Sequence, residues 1–142
     1  IEAQTDNLCV LGTTAEASLL TMPERKLILD TVVSKAKGRI PILVGTGTID
    51  PTKVKDMTLQ AMDCGADASL VVTPYYIKPP QRGLIQHFVS MADLGLPVIV
   101  YNVPGRTSVN LADESVATVA THENIVGIKD ATGDIGRVGN LL

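Results

Sequence analysis

The 142-residue sequence has no tryptophan, one phenylalanine and three tyrosines, so aromatic residues make up only 3% of it. Cysteine is as sparse: Cys9 and Cys64 stand far apart, without the spacing of a metal site or the density of a disulfide scaffold. They read as reduced core thiols, which fits an intracellular compartment. His87 falls on a helix pattern and His122 at a helix end; neither has a partner at ligand spacing, so surface or capping roles are expected and no metal. The 12 basic and 15 acidic side chains are interspersed, net −3. This excludes the basic footprint of a nucleic-acid binder and a polybasic membrane patch. No apolar run approaches the roughly 18 residues of a spanning helix. Gly12-Thr13-Thr14-Ala15-Glu16 lacks the lysine of a phosphate loop, and Gly45-Thr46-Gly47 lacks the rest of a dinucleotide fingerprint. No nucleophilic serine or cysteine elbow is present.

What remains is a globular composition, 45% hydrophobic and 19% charged, whose apolar mass is Val, Ile, Leu and Ala. That mixture suits a parallel sheet covered by helices. Strands are expected at 8–11, 42–44, 68–73, 98–101 and in the apolar run that ends on Lys129. Between them lie helix signals: a Thr21/Glu24 capping box with Pro23 in the first turn and Leu27, Ile28, Thr31 and Val32 behind it, then Asp50-Pro51 opening a second helix. Further helices are read around Leu84–Ala92 and from about Ala112 to Thr121, and the start of another from Asp134.

The strand ends keep a period: Gly45, Thr73, Tyr101 and Lys129 each fall 28 positions after the last. A repeated βα unit with right-handed crossovers sets its strands parallel, with their C-terminal ends at one rim. An open doubly wound sheet and a closed (β/α)8 barrel both satisfy the pattern; the unbroken period favours the barrel. Five units of eight make residues 1–142 an incomplete barrel domain. The chain begins without Met and stops within a helix-like pattern, so it is expected to be a piece of a longer protein, with any targeting segment out of view.

The rim carries Thr13, Thr14, Thr46, Thr73, Tyr75, Tyr76, Tyr101, Asn102, Arg106 and Lys129, including all three tyrosines. A lysine closing a buried strand has two readings. Burial disfavours the ammonium and leaves an amine able to attack a carbonyl carbon; alternatively the stem packs while the head reaches water. Tyr101 occupies the same register one repeat earlier, so phenol and amine should share one space and serve the proton transfers of Schiff-base chemistry. Threonine hydroxyls suit a small carboxylate, and Arg106 offers a fork for a second one.

Five motifs in order, Gly12-Thr13-Thr14 with Glu16, Gly45-Thr46-Gly47, Thr73-Pro74-Tyr75-Tyr76, Tyr101-Asn102-Val103-Pro104 and Gly127-Ile128-Lys129 with Ala131-Thr132-Gly133, give the chain its likeness. It resembles the pyruvate-dependent class I aldolases typified by dihydrodipicolinate synthase and N-acetylneuraminate lyase, over barrel strands two to six. The resemblance implies that Lys129 forms a Schiff base with pyruvate, that Tyr101 relays protons, and that Thr13 links Tyr101 to Tyr76, which crosses into a neighbouring subunit. It implies Thr13 and Thr14 on the pyruvate carboxylate. Arg106 marks the synthase branch, where it binds the carboxylate of aspartate semialdehyde and starts lysine and diaminopimelate synthesis. A related 2-keto acid aldolase, such as an N-acetylneuraminate or 2-keto-3-deoxygluconate lyase, is the alternative, and a noncatalytic paralogue a third reading. No cofactor beyond the covalent lysine, no membrane and no nucleic acid are implied. A homodimer or homotetramer is, with a cytoplasmic location in a bacterium or a plastid in a plant or alga. Ala15 replaces a usual glycine, so its turn must avoid positive φ or absorb strain. Ile49 and Lys53 stand where lysine-inhibited synthases carry an amide and a carboxylate, so weak or no feedback inhibition is expected.

Overall fold

A computed structural model describes residues 1–142. Five parallel strands, β1 (Leu8–Val10), β2 (Ile42–Gly45), β3 (Ala68–Val72), β4 (Val98–Asn102) and β5 (Ile125–Asp130), pair in the order β1-β2-β3-β4-β5. Six helices intervene or follow: α1 (Met22–Ala36), α2 (Pro51–Asp63), α3 (Gln81–Ala92), α4 (Pro104–Thr107), α5 (Asp113–Val119) and α6 (Val138–Leu141). Sequential neighbours throughout, with no reversal of strand order, are the topology of a barrel wall, as the period implies. No helix is long and apolar enough to cross a membrane.

The caps read from the sequence are formed. Thr21 and Glu24 close a reciprocal capping box on α1, and the Asp50 side chain accepts from the Thr52 amide at the start of α2, where Pro51 has no amide hydrogen to satisfy. The main core lies between the sheet and α2, α3 and α5, with Val54, Leu84, Phe88, Val98, Leu111 and Val119 inside it. In α1 the inward residues are Leu29, Ala36 and Arg25, whereas Leu27 is 67% exposed.

Several expectations change. Cys9 is exposed, because β1 is an edge strand whose middle residue faces away from the packed side, and Cys64, at the C-terminal end of α2, is only half buried. His87 is no surface group: it is 9% exposed, packs edge-on against Phe88 with centroids 5.3 Å apart, and burial pushes its imidazole down to about 4. His122 does cap, accepting from the Asn124 amide and pairing with Asp93. Lys129 lies on a strand paired only with β4 and is exposed, so the buried strand end expected for it is not formed in this chain.

Candidate active site

Two glycines make the rim possible. A Cβ on Gly45 would stand 2.1 Å from the Leu11 carbonyl oxygen, and one on Gly47 would stand 2.4 Å from the Val72 amide nitrogen. The ends of β1, β2 and β3 therefore approach more closely than any side chain allows. The turn after β1 solves the problem posed by Ala15. Thr13–Ala15 form a 3-10 turn at negative φ, and the left-handed conformation moves to Glu16 at φ 52°, with Leu11 taking another at φ 57°.

On the other side of the rim the parallel register sets Tyr101 opposite Lys129. The Lys129 Nζ lies 4.3 Å from the centroid of the Tyr101 ring. A cation over an aromatic face at an exposed position is worth about 0.5–1 kcal/mol, enough to bias where a flexible amine rests. The ring is itself fixed: Tyr101 is 7% exposed and packs with Leu70 and Val103. The pairing of phenol and amine expected from the period is thus present.

A cavity of about 790 Å³ opens beside Tyr101 and is also lined by Thr13, Arg106, Tyr75, Thr48 and Arg25. Thr13, Tyr101 and Arg106 therefore share a space. Thr14, Tyr76 and Lys129 do not line it: Thr14 and Lys129 are exposed, and Tyr76 is 87% exposed at φ 69°. Tyr75, not Tyr76, bonds within the chain, its hydroxyl 3.2 Å from Thr48 Oγ1. The hydroxyl triad of Thr13, Tyr101 and Tyr76 is not closed inside one chain. A ring this exposed, in a conformation rare for a non-glycine residue, faces outward.

Behind the pair lies a polar cluster that the motifs did not announce. The wholly buried Asn102 donates to Asn110 Oδ1 at 2.8 Å and to Asp130 Oδ2 at 3.2 Å, and accepts from the Leu111 amide. Arg137, 6% exposed, reaches Asp130 at 2.9 Å, Asp113 at 2.6 Å and Asn110 at 3.1 Å, and donates to the Leu111 carbonyl. Partial burial, the largest single influence on the Asp130 carboxyl, pushes its pKa up. The Thr132 hydroxyl and amide, Asn102 and Arg137 outweigh it and hold the group below the ordinary carboxylate range. No group of three His, Cys, Asp or Glu side chains is placed to hold a metal ion.

A parallel βα wall with lysine, tyrosine, threonines and arginine at the C-terminal rim has the architecture of a (β/α)8 enzyme. The sequence model of the Dihydrodipicolinate synthetase family matches residues 1–142, and the chain belongs to that family. Two relatives named 4-hydroxy-tetrahydrodipicolinate synthase, from Alkaliphilus oremlandii and Nitrosospira multiformis, are 50% and 48% identical over 139 residues. Those matches cover 97% of this chain and 48% and 46% of the relatives. The chloride-inhibited dihydrodipicolinate synthase from Acinetobacter baumannii, solved with pyruvate, superposes with a TM-score of 0.96 at 47% identity, over 99% of this chain and 48% of that one. A monomeric dihydrodipicolinate synthase variant gives 0.95 at 41% identity, over 99% and 47%. The chain thus spans about half the length of these relatives, and its five strands are part of a barrel.

Proposed function

We propose that the protein to which this chain belongs condenses pyruvate with aspartate semialdehyde to 4-hydroxy-tetrahydrodipicolinate, through a Schiff base on Lys129, with residues 1–142 forming part of its single catalytic domain. The observation that carries this reading is the Lys129 amine 4.3 Å from the Tyr101 ring centroid, at matched register on neighbouring strands. The neutral amine adds to the pyruvate keto carbon, giving a carbinolamine. Protonation of its hydroxyl expels water and leaves the imine, and Tyr101 is the adjacent acid and base for these transfers. Loss of a methyl proton gives the enamine, whose carbon attacks the aldehyde carbon of the second substrate. The alkoxide takes up a proton, and the amino nitrogen brought by the semialdehyde then adds to the imine carbon, closing the ring as the bond to Lys129 breaks and the lysine leaves as the free amine.

Thr13 and Thr14 supply hydroxyls for the pyruvate carboxylate, and Arg106 receives the carboxylate of the semialdehyde by a bidentate pair. No cofactor beyond Lys129 is required. Tyr76, 87% exposed, is assigned to the site of a neighbouring subunit in a homodimer or homotetramer, where it completes the triad with Thr13 and Tyr101. The place in lysine and diaminopimelate synthesis follows from the product, and the location proposed with it is the cytoplasm of a bacterium or the plastid of a plant or alga.

The test is a panel of aldehydes given to the full-length protein with pyruvate. Aspartate semialdehyde should be the preferred acceptor, and Arg106→Ala should remove that preference while leaving pyruvate binding intact. Equal use of uncharged aldehydes by the unaltered enzyme would instead assign it to the 2-keto acid lyases.

A further inference from the structure

Arg137 has no part in the chemistry just described, yet it is among the most connected side chains in the molecule. Its guanidinium serves Asp113 at the start of α5, Asn110 and the Leu111 carbonyl in the segment before that helix, and Asp130 at the end of β5. Asn102, which ends β4, joins the same cluster through Asn110 and Asp130, and its carbonyl accepts from the Ala131 amide at 2.8 Å. Asn102 and Asp130 are register partners, one step beyond the partners Tyr101 and Lys129. Alternation along a strand sends the first pair to the opposite face from the second, so the cluster grips these two strand ends from behind.

Stability alone does not call for such a device. Taking charges out of water costs free energy that their mutual attraction barely returns, and apolar side chains of the same volume hold comparable sites as well or better. What a planar fork adds over an apolar plug is fixed geometry between segments. Here it joins the two residues that directly follow the tyrosine and the lysine.

We propose that Arg137, acting through Asp130 and Asn102, is a positioning residue that holds the ends of β4 and β5 in the register where the Lys129 amine lies beside Tyr101. This inference rests on the Schiff-base reading and adds to it a residue that touches neither substrate. Arg137 governs how fast the imine forms, not how tightly pyruvate is first held.

The experiment uses the full-length protein, measuring the single-turnover rate of the borohydride-trapped pyruvate adduct alongside thermal unfolding. Arg137→Lys keeps the charge and loses the fork. A misplacement of about 1 Å costs on the order of 10²-fold in rate, so a loss of that order is expected at saturating pyruvate, with KM moving by less than about threefold. Asp130→Asn keeps the side-chain shape and removes the charge pairing, and it carries the same expectation if Arg137→Lys does not fold. Lys26→Gln, altering an exposed pair on α1, is the control with an unchanged rate. A rate per folded molecule within about twofold of the parent, with only the melting temperature lowered, would reduce Arg137 to a structural role and overturn the proposal. No adduct on Lys129 in the parent itself would sink the Schiff-base reading, and the positioning role with it.

Discussion

Replacing Tyr101 by Phe separates the ring from the hydroxyl. The ring is 7% exposed and packed with Leu70 and Val103, so phenylalanine keeps its contacts and the surface above which the Lys129 amine rests 4.3 Å from the centroid. Removing the hydroxyl leaves this packing in place, and the variant should fold. What disappears is the group proposed as the adjacent acid and base. Proton transfer by a positioned side chain contributes about 10²- to 10⁴-fold, or roughly 3–5 kcal/mol of barrier. In the full-length enzyme Tyr101→Phe should therefore lower kcat by that factor in a coupled assay of product formation, while the pyruvate KM changes little. Borohydride should still trap an adduct on Lys129, but slowly. A kcat within about tenfold of the parent would refute the assignment, because the hydroxyl would then contribute less than a general acid and base must.

Gly45→Ala places a methyl group 2.1 Å from a backbone oxygen, a contact that only movement of β1 relieves; urea unfolding should show a loss of about 3 kcal/mol or more, and less than about 1 would mean the rim is looser than described. His87 binds its proton at about 4 when folded and near 6.5 when unfolded, so the unfolded chain holds more proton between these values. Stability is full above about pH 6.5 and falls as pH drops toward 4, by about 3 kcal/mol from this group. His87→Leu should flatten that part of the profile, and a profile unchanged by the substitution would contradict the burial argument. With Lys53 lining the cavity beside Tyr75, and Ile49 near it in the chain, lysine should inhibit the intact enzyme weakly or not at all; nanomolar to micromolar inhibition would contradict this.

Strand order and the Tyr101–Lys129 pairing were readable from the sequence because both follow from one repeated period, and a parallel register converts equal spacing into adjacency. The capping box and the Asp50-Pro51 start were readable because caps are local. Burial was harder. Lys129 ends an apolar run, but whether a strand is buried depends on what pairs with its other side, and here β5 is an edge. The same cause exposes Cys9 on β1 at the opposite edge. In α1 the apolar spacing pointed to Leu27, yet Arg25 and Leu29 turn inward, because the Arg25 stem packs and its guanidinium donates to the Gly45 carbonyl at 2.7 Å. Arg137 had no signal at all: its partners come from separate stretches of chain and meet only once β4, β5 and α5 are assembled.

The central claim is that Lys129 is the covalent residue. Incubating the full-length protein with pyruvate, reducing with borohydride and mapping the modified peptide by mass tests it directly. A single reduced pyruvate adduct on Lys129, absent in Lys129→Arg, is the predicted result; no adduct, or one on another lysine, would contradict the account.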